Sequence, residues 1–293
     1  GETTLVSRGR VTVRNRTRSV GVAVVESVGA GLVLRRPSPD DVIVAARQTE
    51  LDQLRAHRER AIGGLGSIVS VVGEPGMGTS ALLAELTRDA GGSGVAVLAD
   101  PVRRTVPYSG VASLVDHLRL RGAASTSDRS DVSTVSTVSD RWSWLVEAAG
   151  DLPDWMRPWL DDTLAVVEGR DRGVVDPITT ARRTQVVLAT LLDAVFPAPG
   201  VLAIDDAHLW DEASTRVLVV LDERSVERGR LVVLGRSSGS MARTREDDVI
   251  ELGPLDGATA ADLLVGWAPH LRDDEVERIV RAAGGNPFVL REL

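Results

Sequence analysis

The chain has 293 residues, 43% of them apolar, with a net charge of −8 and a pI near 5.2. That is enough apolar material for one large domain or two small ones. The absence of cysteine excludes a disulfide framework and a cysteine-ligated metal, and the acidic balance argues against a segment that grips nucleic acid by itself.

No apolar run approaches the ~18–20 residues of a membrane span, and no signal peptide opens the chain. With the missing cysteine, this fits a cytoplasmic protein without membrane attachment. There is no lysine, so all 34 basic residues are arginine. The chain opens on Gly1 and closes on the helical pattern PFVLREL, and is expected to be a piece of a longer protein.

Residues 4–36 alternate and are rich in β-branched residues (LVSRGRVTVR, SVGVAVVES, GLVLRR), with turn residues at Asn15, Gly29 and Gly31. They predict two or three short strands. RPSPDD at 36–41 reads as a hinge, and a helix is expected over about 48–63 from the spacing of Leu51, Leu54 and Ile62. Strands are expected at 68–72, 95–99, 201–205, 231–235 and 249–252, with helical stretches between them. Short apolar runs alternating with amphipathic helices predict an α/β fold, a five-stranded, mainly parallel sheet flanked by helices. Residues 122–140, low-complexity Ser/Thr, read as a loop, and 141–195 as inserted helices. The expected organisation is a β-rich segment at 1–40, a core at 41–254 with a helical insertion at 122–195, and a helical lid at 255–293.

Residues 73–80, GEPGMGTS, follow G-x-x-x-x-G-K-[ST] in every letter but the lysine, where Thr79 stands. A predicted strand precedes them and a predicted helix follows, the context a phosphate-binding loop needs. Gly73, Gly76 and Gly78 permit close backbone approach. Successive N–H groups at the helix N-terminus then form an anion nest that does not itself require the lysine. Ser80 keeps the hydroxyl that would coordinate Mg²⁺. Further on, VLAIDD ends a buried strand in two acids, Asp205 and Asp206. An acid at such a strand tip can hold Mg²⁺ through water, and the next can orient an attacking water.

At this point a set of motifs in order resembles the AAA-like P-loop ATPase domain of STAND-type signalling proteins, in particular of large ATP-binding LuxR-type transcriptional regulators. The motifs are IVAARQTELDQL, VVGEPGMGTSALLAEL, VPYSGVASLVDHL, VLAIDDAHLWDEAS, ELGPLDGATAADLL and AAGGNPFVLREL, covering roughly 42–293. The resemblance implies ATP or ADP with Mg²⁺ as cofactors. It implies that Arg47 and Glu50 lie near the adenine, and that Gly73, Glu74, Pro75, Gly76, Met77, Gly78, Thr79, Ser80 and Ala81 hold the nucleotide at its phosphates. It implies too that Ser80 and Asp205 serve Mg²⁺, and that Asp206 is the water-orienting acid. It further implies that Arg236 senses the γ-phosphate, and that Asn286 and Pro287 belong to a lid over the base. His208 and Trp210 are read as local packing.

Two departures stand out. Ala46 replaces a glycine of the opening motif, and Thr79 replaces the lysine that bridges β- and γ-phosphates in the family pattern. A hydrogen bond to a charged group is worth ~1.5–3 kcal/mol, so affinity would fall roughly 10- to 100-fold. Turnover suffers more, because electrostatic stabilisation dominates phosphoryl transfer. Arg103, Arg104 and Arg236 are the candidate substitutes.

The sequence therefore carries three readings: a nucleotide-binding switch with weak or no hydrolysis, a pseudo-ATPase scaffold with no ligand, and an ATPase or kinase working through a substitute arginine. The first is preferred, because a pocket without a ligand has no need of Ser80, Asp205 and Asp206. The expected partners are nucleotide, effector and sensor domains outside this segment, and another copy of the chain if the domain oligomerises. Residues 4–36 are too apolar to float free and too few to stabilise themselves, so they are expected to pack on the core. Deleting residues 1–40 should lower the melting temperature, and an unchanged value would refute that packing.

Overall fold

The computed structural model describes residues 3–11, 20–28, 43–125, 138–170, 176–196, 198–237 and 249–293. Gly1–Ser38 and Pro39–Leu293 are two compact units. In the first, β1 (Thr3–Val11) and β2 (Val20–Val28) form an antiparallel pair with register shifts at Thr4/Leu5 and Ser7/Gly9. The third strand expected near 31–36 and the hinge at 36–41 lie outside the described residues.

The second unit is an α/β layer structure. In chain order it contains α1 (Gln48–Ile62), β3 (Ser67–Gly73), α2 (Thr79–Asp89), β4 (Gly94–Leu98) and α3 (Ser109–Ser125). There follow α4 (Val138–Ala149), α5 (Arg157–Val167), α6 (Pro177–Val195), β5 (Gly200–Asp205), α7 (Glu212–Arg228), β6 (Arg230–Ser237) and β7 (Val249–Leu252). Three further helices close the unit: α8 (Gly257–Trp267), α9 (Asp273–Ala283) and α10 (Pro287–Glu292). All five predicted strands are present within a residue or two. The sheet order is β4-β5-β6-β3-β7, and every neighbouring pair is parallel. The Ser/Thr-rich stretch expected as a loop is partly helical. α3 runs through Ser125 and α4 starts at Val138, while residues 126–137 lie outside the described set.

The pattern of the central strands explains the layers. Side chains alternate across a strand, so Val201 and Ala203 join one cluster, with Leu51, Leu54, Leu82 and Leu86 from α1 and α2. Leu202 and Ile204 join the other, with Leu114, Trp142, Leu188 and Leu192 from α3, α4 and α6. A strand apolar on both sides suits a sheet covered on both faces. The edge strand β7 instead alternates exposed and buried. A third cluster, including Leu263, Leu264, Val276 and Leu290, holds α8, α9 and α10 together, the segment expected to form a lid. Among the described residues, no helix is long and apolar enough to cross a membrane.

At the far end of the sheet from the loop after β3, Arg230 is almost wholly buried and pairs with Asp193 of α6. Its guanidinium also donates to the carbonyls of Asp193 (2.6 Å) and Phe196 (2.8 Å). Burial pulls the Arg230 pKa down, and the Asp193 carboxylate opposes that pull. Removing one member of such a pair strands the other charge in a poor solvent. Asp193→Ala should therefore cost ~3–5 kcal/mol of unfolding free energy by denaturant titration.

Candidate functional site

β3 ends at Gly73, and the next five residues turn the chain into α2. Gly76 and Gly78 do so at φ of 90° and 98°, a region other residues rarely enter. Gly78 is the N-cap of α2 and no side chain caps the helix. The first N–H groups of a helix have no partner within it. Here those of Gly78, Thr79, Ser80 and Ala81 have no backbone acceptor among the described residues. All four residues line one cavity of about 300 Å³. Unpaired donors and the positive end of the helix dipole suit that wall to an anion.

The opposite wall comes from the tips of β5 and β6. β6 separates β3 from β5 in the sheet, so Thr79 and Asp205 can approach each other only across it. Gly235 allows this. A Cβ there would lie 2.9 Å from Thr79 Cγ2, 3.1 Å from Asp205 Oδ1 and 2.8 Å from Leu83 Cδ1. Asp205 Oδ1 accepts the N–H of Asp206 at 3.1 Å. Asp206 itself sits at φ 51°, a left-handed conformation uncommon outside glycine.

Arg236 follows Gly235 and is only 8% exposed. Its Nε has no hydrogen-bond partner, and no ion pair neutralises it among the described residues. Burial alone pulls its pKa below the usual arginine value. An uncompensated buried cation is costly, so this guanidinium is suited to an anion arriving in the cavity.

The cavity gathers Gly73, Glu74, Pro75, Gly76, Gly78, Thr79, Ser80, Ala81, Asp205, Asp206, Arg236 and Pro287. Three predicted site residues stand apart. The Met77 side chain is 3% exposed and belongs to the core, because the turn that frees its neighbours' amides points it inward. Arg47 and Glu50 pair at 3.1 Å and line a different hollow, with Glu251, Pro254 and Asp256. Arg47 also donates to Gly253 O at 2.6 Å, which ties the start of α1 to the segment after β7. Arg103 and Arg104 are exposed and do not line the cavity, and Arg103 pairs with Asp100 at 3.7 Å.

Other cavity residues were not singled out in the sequence, among them Ile43, Ser237, Phe288 and Arg291. His208, read as packing, lines the cavity too, and its Nδ1 faces the Ser237 N–H at 3.5 Å. Asn286, expected over a base, lies against the loop. Its Nδ2 donates to Pro75 O at 3.0 Å, and Phe288 N donates to Gly76 O at 3.2 Å.

Asp211, five residues beyond Asp206, was quoted in a motif but given no role. It is 3% exposed and accepts from Tyr108 N (2.8 Å), Gly110 N (3.0 Å), Ser109 Oγ (3.1 Å) and Ser214 N (2.9 Å). Ser214 Oγ in turn accepts from Val111 N at 3.0 Å. Trp210 covers Gly110, where a Cβ would lie 2.5 Å from its Cδ2, so its predicted packing role agrees with the structure. VPYSGV and the tail of VLAIDDAHLWDEAS are therefore two halves of one buried hydrogen-bonded joint. Tyr108 holds φ 61° within it, and its phenol pKa is raised, chiefly by burial.

A parallel sheet, a glycine-rich turn into a helix N-terminus and an acid on a nearby strand tip define a P-loop nucleotide-binding fold. The chain belongs to the AAA ATPase domain family, whose model matches residues 44–234, well over half of it. No curated protein matches. Among solved structures, it is similar to a Signal Transduction ATPase with Numerous Domains (STAND) protein with a tetratricopeptide repeat sensor from Pyrococcus horikoshii. The identity is 14% and the TM-score 0.47, over 84% of this chain and 29% of that one. The chain thus spans less than a third of that protein's length.

Gly235→Ala should displace Thr79 or Asp205 without changing the chemistry of either side chain. It is expected to weaken anion binding at the loop at least ~10-fold, because a near-ångström misplacement at a charged site costs that much or more. The test is a phosphate or nucleotide titration beside a thermal melt, and equal affinity with an unchanged melt would refute the assigned role of Gly235.

Proposed function

We propose that this domain binds ATP or ADP with Mg²⁺ as a conformational switch within a larger STAND-type regulator, with weak or absent hydrolysis. The supporting observation is the cavity lined both by the residues of four helix N–H groups without backbone acceptors and by buried Arg236, which has no anionic partner among the described residues. Ser80 and Asp205 on the same cavity suit Mg²⁺. Among the described residues, no three carboxylates or histidines cluster as a metal site. Mg²⁺ is commonly held by one or two protein groups plus phosphates and water, so this donor set fits an ion that arrives with the nucleotide. When bound, the ion would neutralise phosphate charge.

Charge on the cavity wall favours an ion that arrives with the nucleotide. Glu74, Asp205 and Asp206 oppose Arg236 and Arg291 there, so a free polyphosphate would meet a wall with no positive surplus. Asp206 is the proposed water-orienting acid and Arg236 a group that senses the γ-phosphate. Thr79 offers no charge toward the γ-phosphate, which favours slow turnover. A switch can operate without turnover, provided nucleotide binds its two conformations with different affinity. The motif resemblance supports a regulator of the LuxR type, with effector and sensor domains elsewhere in the protein.

Thr79 also favours a second reading, a scaffold that binds no nucleotide. Calorimetric titration with ATP and ADP, with and without Mg²⁺, separates the two. Binding should require Mg²⁺ and be lost in Asp205→Ala. No heat at millimolar nucleotide would leave the scaffold. Thr79→Lys should raise ATP affinity roughly 10- to 100-fold and raise turnover with it. A reversion without effect on either would show that the loop charge is not what limits the site.

A further inference from the structure

We infer that Arg291, on the lid helix α10, supplies the phosphate-facing positive charge that Thr79 removes from the loop, an inference that rests on the nucleotide-binding reading above. Arg291 lines the same cavity as Thr79, Ser80 and Arg236. α10 is fixed to the loop from its first turn, through Asn286 Nδ2 to Pro75 O (3.0 Å) and Phe288 N to Gly76 O (3.2 Å). Phe288 bears on Gly76, where a Cβ would lie 2.7 Å from the Phe288 Cβ. The Arg291 guanidinium lies 5.6 Å from the Phe288 ring centroid. The docked lid thus brings a cation to the mouth of the loop.

That cation is available. Its side chain is 41% exposed, and its ion pair is a 3.6 Å contact with Glu292, its 60%-exposed neighbour. Exposed pairs of this kind hold little energy, so a phosphate can displace it. A guanidinium reaches further than an ammonium and grips phosphate with two N–H groups. It differs from the family's lysine in one physical respect. A loop lysine is positioned by the strand and helix that hold the loop, whereas Arg291 is positioned by the lid. Affinity for the triphosphate then depends on lid seating, and by linkage the triphosphate holds the lid on the loop.

The test compares the 293-residue protein with Arg291→Gln, Arg291→Lys, Thr79→Lys and the Thr79→Lys/Arg291→Gln double variant, titrated with ATP and ADP in Mg²⁺. Arg281→Gln, on the lid but away from the cavity, is the control, and ligand-free melts check folding. Arg291→Gln should lose roughly 10- to 100-fold in ATP affinity with ADP affinity within about twofold. Arg291→Lys should recover part of the loss, because charge is restored without the two-pronged geometry. In the Thr79→Lys background, Arg291→Gln should cost less than about threefold, since the loop again carries the charge. Unchanged ATP affinity in Arg291→Gln, or equal losses for ATP and ADP, overturns the inference and leaves nucleotide binding standing. A wild-type protein that binds neither nucleotide overturns the underlying reading itself.

Discussion

The start of α2 leaves four N–H groups without backbone acceptors among the described residues, and a loop that turns donors one way must turn carbonyls another. Gly76 and Gly78 make that possible at positive φ. The carbonyls of Pro75 and Gly76 are taken by Asn286 and Phe288 of the lid. The loop therefore has a donor side on the cavity and an acceptor side under α10. A ligand that prefers one loop conformation changes the geometry of both, so cavity and lid are joined by the peptide groups themselves.

A second constraint is the order of the strands. Because β6 lies between β3 and β5, the loop and the acidic tip of β5 are one strand apart, and Gly235 leaves the space on which Thr79 and Asp205 both close. The chain leaving β5 then passes Asp206 in a left-handed turn and reaches Asp211. That carboxylate is buried but takes three N–H groups and a hydroxyl, which satisfies it without a cation. One short stretch thus presents acids to the cavity and anchors the N-terminus of α3. The position of the acids is set by a joint that contains no ligand-binding group.

Much of this was legible in the sequence and some was not, for physical reasons. Strands such as VLAID are continuous apolar runs, and a run that short and that β-branched has few alternatives. The glycine spacing of GEPGMG marks a turn with positive φ wherever it occurs. Strand order leaves no local trace, so the role of Gly235 was invisible. Asn286 and Arg291 were legible only as lid residues, because the bonds to Pro75 and Gly76 span more than 200 positions. Asp211 was in plain view but read as part of a motif, because nothing in its neighbours says that its partners lie about a hundred residues away. Arg47 and Glu50 were placed by analogy, and their hydrogen bonds join them to each other and to Gly253 rather than to the loop.

Arg236 links the fold to its proposed ligand in energetic terms. Its guanidinium is held at the end of a central strand, where the surrounding core disfavours its charge. With no anionic partner among the described residues, the folded domain carries a desolvation cost there. An anion in the cavity would relieve it, so part of the ligand's binding free energy would be the removal of a penalty built into the sheet. Ligand that binds only the folded form also raises its stability by mass action. The buried arginine would thus make the occupied domain the less strained of the two states, without any lysine on the loop.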